Sequence, residues 1–167
     1  MNWSFVEEQL LSTANFIASD LGLCDGVLHF QYILQDSKAH VLEVTRRCSG
    51  DLYPYPVTLA LGLDWADLIV SASTGRSVTA HPIRKQEGFF GRHCIMADRN
   101  GIVREYRLAS EIRRNIVSEH RAIAEGQRVQ NHLHQKLAVL ILKFESLKEA
   151  EDKVPRLHAL CSVEIEN

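Results

Sequence analysis

The sequence has few of the short motifs by which many ligand sites are recognised. Its 9 glycines are dispersed among 167 residues, and they form neither a P-loop nor another glycine-rich phosphate cradle. Its 4 cysteines include no Cys-x-x-Cys pair, which favours reduced thiols over a disulfide framework. We therefore expect a cytoplasmic protein that is stabilised by its hydrophobic core.

Long apolar runs and an excess of one charge are also missing. The longest apolar run covers residues 137–142, which is far too short to cross a bilayer, and the sequence does not start with a basic-then-apolar leader. The formal net charge is −2, from 19 basic and 21 acidic residues. We expect a soluble chain that binds neither nucleic acids nor membranes.

The first part of the sequence predicts a helix followed by a β-hairpin. Apolar residues recur at helical spacing from Phe5 onwards, and Gly22 is a common type of helix end. Two extended runs, 26–35 and 39–47, are rich in β-branched and aromatic residues and are separated by Asp36-Ser37-Lys38. This pattern is typical of paired antiparallel strands.

A stiffened loop and two helices are predicted next. Residues 48–56 contain a glycine and two prolines, which restrict the backbone and indicate a defined loop. Helical patterns follow at 58–63 and 64–74, with Asp64 placed to cap the second helix and Gly75 placed to end it.

The second half of the chain predicts mainly strands. Asn100-Gly101 favours a hairpin between strands 89–96 and 102–108. Ser146 and Glu149 have the spacing of a capping box, which predicts a helix start. The remaining predictions are a short polar helix at 110–116 and strands at 122–129, 136–144 and 161–166.

Strands in consecutive hairpins with helices inserted between them indicate an α+β fold with a mainly antiparallel sheet. We expect one subdomain over residues 1–80 and a β-rich trailing subdomain over 81–167 that packs on it. The polar segment 77–86 is the candidate for a mobile join between them.

Glu43, Thr45 and Arg47 alternate near the end of the second predicted strand. Alternation in a strand places them on one side, with about 6 to 7 Å from each to the next. A carboxylate and a hydroxyl can hold a hard cation, and an arginine can bind the phosphate that this cation bridges. This spacing indicates a nucleotide-triphosphate site, and the alternative is an ordinary hairpin edge with a surface ion pair.

The order of these features resembles the C-terminal part of ATP-grasp ligases such as carbamoyl-phosphate synthase and biotin carboxylase. The matching features are the first helix, a hairpin anchored at Gly26, the Glu43-x-Thr45-x-Arg47 run, and the segment Leu61-Gly62-Leu63-Asp64 that opens a helix ending at Gly75. The resemblance covers residues 5–76 well and continues more weakly through the trailing strands.

The resemblance implies a role for each of five residues. Gln31, Glu43 and Thr45 match the metal ligands of the family, with threonine where asparagine is usual. Arg47 matches the arginine that holds the transferring phosphoryl group, a catalytic role. Together with Glu43 and Thr45, the adjacent Arg46 and Arg47 are expected to bind the nucleotide. The implied cofactors are ATP and magnesium.

The resemblance also implies a reaction. In these ligases a carboxylate attacks the γ-phosphate of ATP, and a nucleophile such as an amine captures the acyl phosphate. We therefore expect the Mg-ATP-binding portion of a carboxylate–amine or similar ligase, with a small carboxylate or amine as substrate.

ATP-grasp enzymes also have a lid that bears lysines and a glycine-rich loop, and this sequence contains no counterpart of it. We therefore expect a truncated or split enzyme that needs a missing lid or a partner chain for catalysis. The alternative is a non-catalytic binding or oligomerisation module derived from such an enzyme. A third hypothesis is that residue 1 is an internal start of a longer chain.

Overall fold

The computed structural model describes residues 3–78 and 88–166. Its internal contacts divide the chain into two compact units. Within the described residues, the first unit comprises 3–50 and 64–78, and the second comprises 51–63 and 88–166. Residues 79–86 of the predicted join lie outside the described residues, and the predicted subdomain boundary at residue 80 stays a prediction.

The chain alternates groups of helices and strands. In chain order the elements are α1 (Trp3–Asp20), β1 (His29–Gln35), β2 (Lys38–Thr45), α2 (Pro54–Leu61), α3 (Trp65–Ser73), β3 (Phe89–Met96), β4 (Gly101–Leu108), α4 (Ser110–Arg113), β5 (Ile116–Arg121), β6 (Arg128–Val129), β7 (Lys136–Phe144), α5 (Leu147–Lys153), α6 (Leu157–Leu160) and β8 (Cys161–Glu166). All strand pairs recorded for the described residues are antiparallel, which confirms the predicted α+β class.

In the first unit, β1 and β2 form the predicted hairpin. Asp36 and Ser37 form its turn with φ of 50° and 61°. Two central residues with positive φ are typical of the type I′ turn, whose twist matches that of the paired strands. The turn therefore connects β1 to β2 directly and pairs Gln35 with Lys38.

One side chain of helix α1 bonds to both backbone groups of a residue in the hairpin. The Gln9 amide donates from Nε2 to the Ala39 carbonyl at 2.8 Å and accepts from the Ala39 N–H at 3.0 Å. Because both backbone groups of Ala39 are satisfied by one amide, this contact fixes the position of the helix along β2.

Helix α3 begins at the cap that the sequence predicts, whereas α2 does not begin where it was predicted. The Asp64 carboxylate accepts from the Asp67 N–H at 3.0 Å and caps α3. The predicted start of the preceding helix at residue 58 was wrong, because α2 already begins at Pro54. Proline suits the first position of a helix, where its missing N–H is not needed.

The second unit is built from two three-stranded sheets, with strand orders β3-β7-β5 and β6-β4-β8. The apolar strand β7 lies at the centre of its sheet and has the predicted bounds. Ile95, Leu140 and Phe144 are among the buried residues of the core between the elements of this unit. The sequence pattern of β8 also predicted its place at a sheet edge.

The predicted hairpin of β3 and β4 is wrong, although both strands exist. The strands belong to different sheets. Asn100 lacks positive φ and Gly101 has φ of 152°, so a type I′ turn is not formed. The Asn100 side chain instead accepts from the His132 N–H at 2.9 Å, which commits this segment to a tertiary contact.

Two further sequence predictions are corrected. The predicted strand 122–129 is mostly a turn, in which Gly126 has φ of 85° and the Gln127 side chain accepts from the Ala124 N–H at 2.6 Å. The predicted helix 110–116 ends earlier, and Ile116 opens β5 instead. In both places polar side chains bond to the nearby backbone, which competes with regular structure.

In the described residues, no helix is long and apolar enough to cross a membrane. Cys24, Cys48, Cys94 and Cys161 all carry free thiols.

Candidate functional site

The predicted metal ligands lie on the hairpin of the first unit. Gln31 of β1 is directly opposite Glu43 of β2, and His29 is directly opposite Thr45. Directly opposite residues share a face of a two-stranded sheet, and so do residues two apart along one strand. The four side chains therefore belong to one face, and Gln31 and Glu43 are exposed there.

This pairing depends on a β-bulge. Near the turn, Tyr32 pairs with Val41, whereas the next pair is Gln31 with Glu43. Leu42 is thus the extra residue, and regular pairing without a bulge would set Gln31 opposite Leu42. The sequence predicted that Gln31 and Glu43 face each other, but it did not predict the bulge that produces this register.

His29 is a member of this face that the sequence interpretation missed. The Thr45 hydroxyl lies 3.4 Å from Nδ1 of His29, and both residues are half-buried. An imidazole at this distance can orient the hydroxyl by donating to it or accepting from it, depending on its tautomer. The signal that could have identified His29 is the register itself.

Arg47 lies two residues beyond the end of β2, so strand alternation no longer determines its direction. Its Nη1 donates to the Cys48 carbonyl at 3.0 Å, and its side chain is exposed. Arg47 lines an open cavity of about 360 Å³ together with residues from the loop before β1 and from α3. Its guanidinium is thus available at the end of the hairpin.

Arg46 is engaged by the backbone. Its guanidinium donates to the carbonyl oxygens of Cys24, Asp25 and Val27, at 2.5, 2.9 and 3.1 Å respectively. The sequence predicted a nucleotide contact for Arg46, and these three bonds were not foreseen. The residue types do not reveal them, because Gly26, at which a Cβ would lie 2.5 Å from Nη1 of Arg46, has no side chain.

The second unit has its own charged cluster. Asp51 pairs with Lys136, and its carboxylate lies 3.5 Å from Nη2 of Arg92. Arg92 also donates from Nε to the Asp51 carbonyl, and its guanidinium lies 5.5 Å from the centre of the Tyr53 ring. Asp51 and Leu52 have φ of 60° and 59°, so this cluster holds a backbone conformation that costs free energy in non-glycine residues.

The hairpin donors fit a hard cation. Gln31, Glu43 and Thr45 offer only oxygen ligands, with one carboxylate among them. Magnesium commonly binds through one or two carboxylates, together with water and substrate phosphates. Among the described residues, no group of three or more His, Cys, Asp or Glu side chains could hold a metal. The donor set therefore suits a cation that phosphate oxygens help to bind, rather than a zinc-type site.

The sequence matches no protein-family model and no curated protein, but solved structures share its fold. Phosphoribosylglycinamide synthetase from Anaerococcus prevotii superimposes with a TM-score of 0.77 over 98% of this chain at 18% identity. L-amino acid ligase from Bacillus licheniformis superimposes with a TM-score of 0.77 over 97% of this chain at 18% identity. Both are ATP-grasp enzymes.

The chain has an ATP-grasp fold. Biotin carboxylase from Campylobacter jejuni, solved as a complex with β-γ-ATP, gives the same assignment with a TM-score of 0.67 over 92% of this chain at 15% identity. This chain spans only 43%, 41% and 35% of the lengths of these three ATP-grasp structures. It thus has the fold of less than half of an ATP-grasp enzyme.

Proposed function

We propose that this chain forms the magnesium- and phosphate-binding side of an ATP-grasp ligase site. The observation that carries the proposal is the register of the hairpin, in which Gln31 lies opposite Glu43 and Thr45 lies two residues further along the same face. An exposed hairpin can fold without this set of oxygen donors on one face, so folding alone does not explain their arrangement. The ATP-grasp fold of the chain supports the same interpretation.

Each residue has a defined part in this proposal. Gln31, Glu43 and Thr45 would hold Mg²⁺, which when bound neutralises charge on the phosphates of ATP. His29 orients the Thr45 hydroxyl. Arg47 binds a phosphate oxygen through its planar guanidinium and holds the transferring phosphoryl group. Arg46 stays attached to the loop before β1.

The proposed reaction class is the activation of a small carboxylate by phosphoryl transfer from ATP, followed by capture by an amine or a similar nucleophile. Such chemistry depends on positioning and charge neutralisation, and it does not need a nucleophilic side chain of the protein. Glu43 supplies the single carboxylate of the set, so we expect poor metal binding in the absence of nucleotide.

Calorimetric titration with Mg-ATP tests this proposal. We expect Glu43→Gln to weaken binding about 10-fold or more, because a lost charged contact is worth roughly 1.5–3 kcal/mol. Glu8→Gln is the matched control, since Glu8 is an exposed carboxylate of the same unit on α1. Equal affinities of the two variants would contradict the assignment of Glu43.

Catalysis in this proposal requires a nucleotide lid, supplied by a partner chain or by a further part of a longer chain, and the complete enzyme acts in the cytoplasm. The relatives of known structure are more than twice as long as this chain. Phe16 and Leu21 on and after α1 are 69% and 65% exposed, and apolar side chains of this kind are typical of contact surfaces.

The second candidate function is a non-catalytic module that binds a partner or a second copy. The same exposed residues, Phe16 and Leu21, favour it. Light scattering distinguishes the two, together with the titration above. A dimer that gives no heat with Mg-ATP would favour the non-catalytic module, whereas a monomer that binds Mg-ATP would favour the split enzyme.

A further inference from the structure

The loop before β1 is held by a single guanidinium group. Residues 24–27, termed here the carbonyl loop, turn three carbonyl oxygens towards Arg46. Arginine has five N–H donors in a rigid fork, and charged hydrogen bonds are stronger than neutral ones. One side chain therefore satisfies three acceptors that regular secondary structure does not reach.

Gly26 allows the guanidinium of Arg46 to lie close to the backbone of the carbonyl loop. A Cβ at this position would lie 2.5 Å from Nη1, 2.6 Å from Nη2 and 2.7 Å from Cζ of Arg46. These distances are shorter than any van der Waals contact, so no side chain fits between the loop and the guanidinium. The φ of 152° at Gly26 is also one that other residues rarely adopt.

The carbonyl loop and Arg47 border the same cavity. Cys24, Asp25, Gly26 and Val27 line it on one side, and Arg47 lines it as well. Arg46 joins these two parts, because it is adjacent to Arg47 in sequence and bonded to the loop. Fixing Arg46 therefore fixes the distance between the loop and the backbone from which Arg47 extends.

We propose that Arg46 is a positioning residue, which acts by holding the carbonyl loop against the end of β2 so that Arg47 is presented to phosphate from a rigid backbone. The phosphate part of this inference rests on the proposed function, whereas the holding of the loop does not. Arg46 is assigned no phosphate contact in this proposal, because three of its five N–H donors are directed at carbonyl oxygens.

Limited proteolysis tests the holding of the loop without any ligand. Chymotrypsin cleavage is measured at Leu23 and Leu28, which flank the carbonyl loop. Arg46→Ala should accelerate it about 10-fold or more, since a lost charged hydrogen bond shifts a local opening equilibrium by about this factor. The control is Arg76→Ala, because Arg76 is an exposed arginine of the same unit with one surface ion pair. Unchanged cleavage in Arg46→Ala would overturn the proposal.

Two further variants distinguish the effect of the shape of the Arg46 guanidinium from the effect of its charge. Arg46→Lys keeps the positive charge but lacks the fork, so it should accelerate cleavage nearly as much as Arg46→Ala. Gly26→Ala removes no charge, yet it should accelerate cleavage as well. In the double variant Gly26→Ala/Arg46→Ala the effects should be less than additive, because the steric clash is gone. Additive effects would contradict direct contact between the two residues.

Titration with Mg-ATP then tests the positioning of Arg47. Gly26→Ala and Arg46→Lys should each weaken binding several-fold although Arg47 is intact. If Arg46 were a direct phosphate ligand, Arg46→Lys would retain most of the affinity and Gly26→Ala would retain all of it, which would overturn the positioning role. If the wild type binds no Mg-ATP, the proposed function fails, and the proteolysis alone decides whether Arg46 holds the loop.

Discussion

The two units of the chain differ sharply in how they are stabilised. Among the described residues, the buried side chains of the first unit are only Val6, Ala39 and Ser71. The second unit has a continuous core of fully buried residues on several strands and helices. The first unit carries the proposed site, so the proposed ligand-binding residues lie in the unit that has fewer buried side chains among the described residues. Regions with few buried contacts open locally at low free-energy cost.

The first unit relies on specific polar contacts instead. Gln9 attaches α1 to Ala39, and Arg46 attaches the carbonyl loop to the end of β2. Such contacts define geometry well but contribute modestly to stability, about 0.5–1.5 kcal/mol for each neutral hydrogen bond. The comparison therefore predicts that the first unit, which carries the proposed binding face, is loosely packed, whereas the second unit is tightly packed.

The largest loss of stability should come from a substitution in the core of the second unit. Leu140 is fully buried in the central strand β7, and Leu140→Ala should destabilise the protein by about 2–5 kcal/mol. The matched change Leu42→Ala removes a leucine that is 59% exposed in the first unit, and it should cost roughly 0.5 kcal/mol or less. Urea denaturation of both variants checks this contrast, and similar losses would abolish the distinction between the units.

Acid should destabilise the second unit through Glu149. Hydrogen bonds from Lys153, the Glu145 N–H and Asn115 lower the pKa of Glu149 to about 2, from an ordinary value of 4.5. A carboxylate with a lowered pKa in the folded state stabilises fully above pH 4.5, and this stabilisation is lost as the pH falls from 4.5 towards 2. The free energy of unfolding should therefore decrease over this range.

The variant Glu149→Gln tests the origin of this acid sensitivity. It should be less stable than the wild type at neutral pH, because it leaves the ammonium of the buried Lys153 without its carboxylate. Its stability should vary less between pH 4.5 and 2 than that of the wild type. Denaturation at a series of pH values measures both effects, and parallel pH profiles would assign the sensitivity to other groups.

The smallest loss of stability should come from removing a helix cap. Each unit has a cap of similar geometry, so the same kind of contact can be compared in both units. Asp64 caps α3 in the first unit, and Ser146 caps α5 in the second, with acceptor distances of 3.0 and 3.1 Å. Asp64→Ala and Ser146→Ala should each cost about 1 kcal/mol. Hydrogen exchange should show faster opening of the affected helix in both variants, with the higher absolute rates in α3. Faster exchange in α5 would reverse the proposed order of local stability.

The sequence predicted the helices and strands better than it predicted which strands pair with each other. The bounds of β7 and the caps at Asp64 and Ser146 follow from local patterns, and the structure confirms them. Asn100-Gly101 was a stronger local signal for a hairpin than Asp36-Ser37, yet only the latter pair forms the turn. Strand partners depend on tertiary contacts such as Asn100 with His132, and local propensity does not encode these contacts.

In the candidate site, too, local patterns predicted residue types but did not predict contacts between distant segments. Residue types and spacing along β2 were sufficient to select Glu43 and Thr45, whose metal-binding role stays a prediction. The contacts of Arg46 with the carbonyl loop could not be predicted, because they join segments about twenty residues apart through a glycine that has no side chain to reveal them. His29 was missed for a related reason, since its proximity to Thr45 depends on the bulge.

The extra residue at position 42 gives the two ends of the hairpin different pairing registers. Pairing near the turn follows from Asp36 and Ser37, whereas pairing at the far end is offset by one residue. Regular pairing of the same residues without the bulge would set Gln31 opposite Leu42 and Glu43 opposite Phe30, so Glu43 would lie on the opposite face from Gln31. The bulge at position 42 therefore decides whether the carboxylate at position 43 lies opposite its glutamine across the hairpin or on the other face.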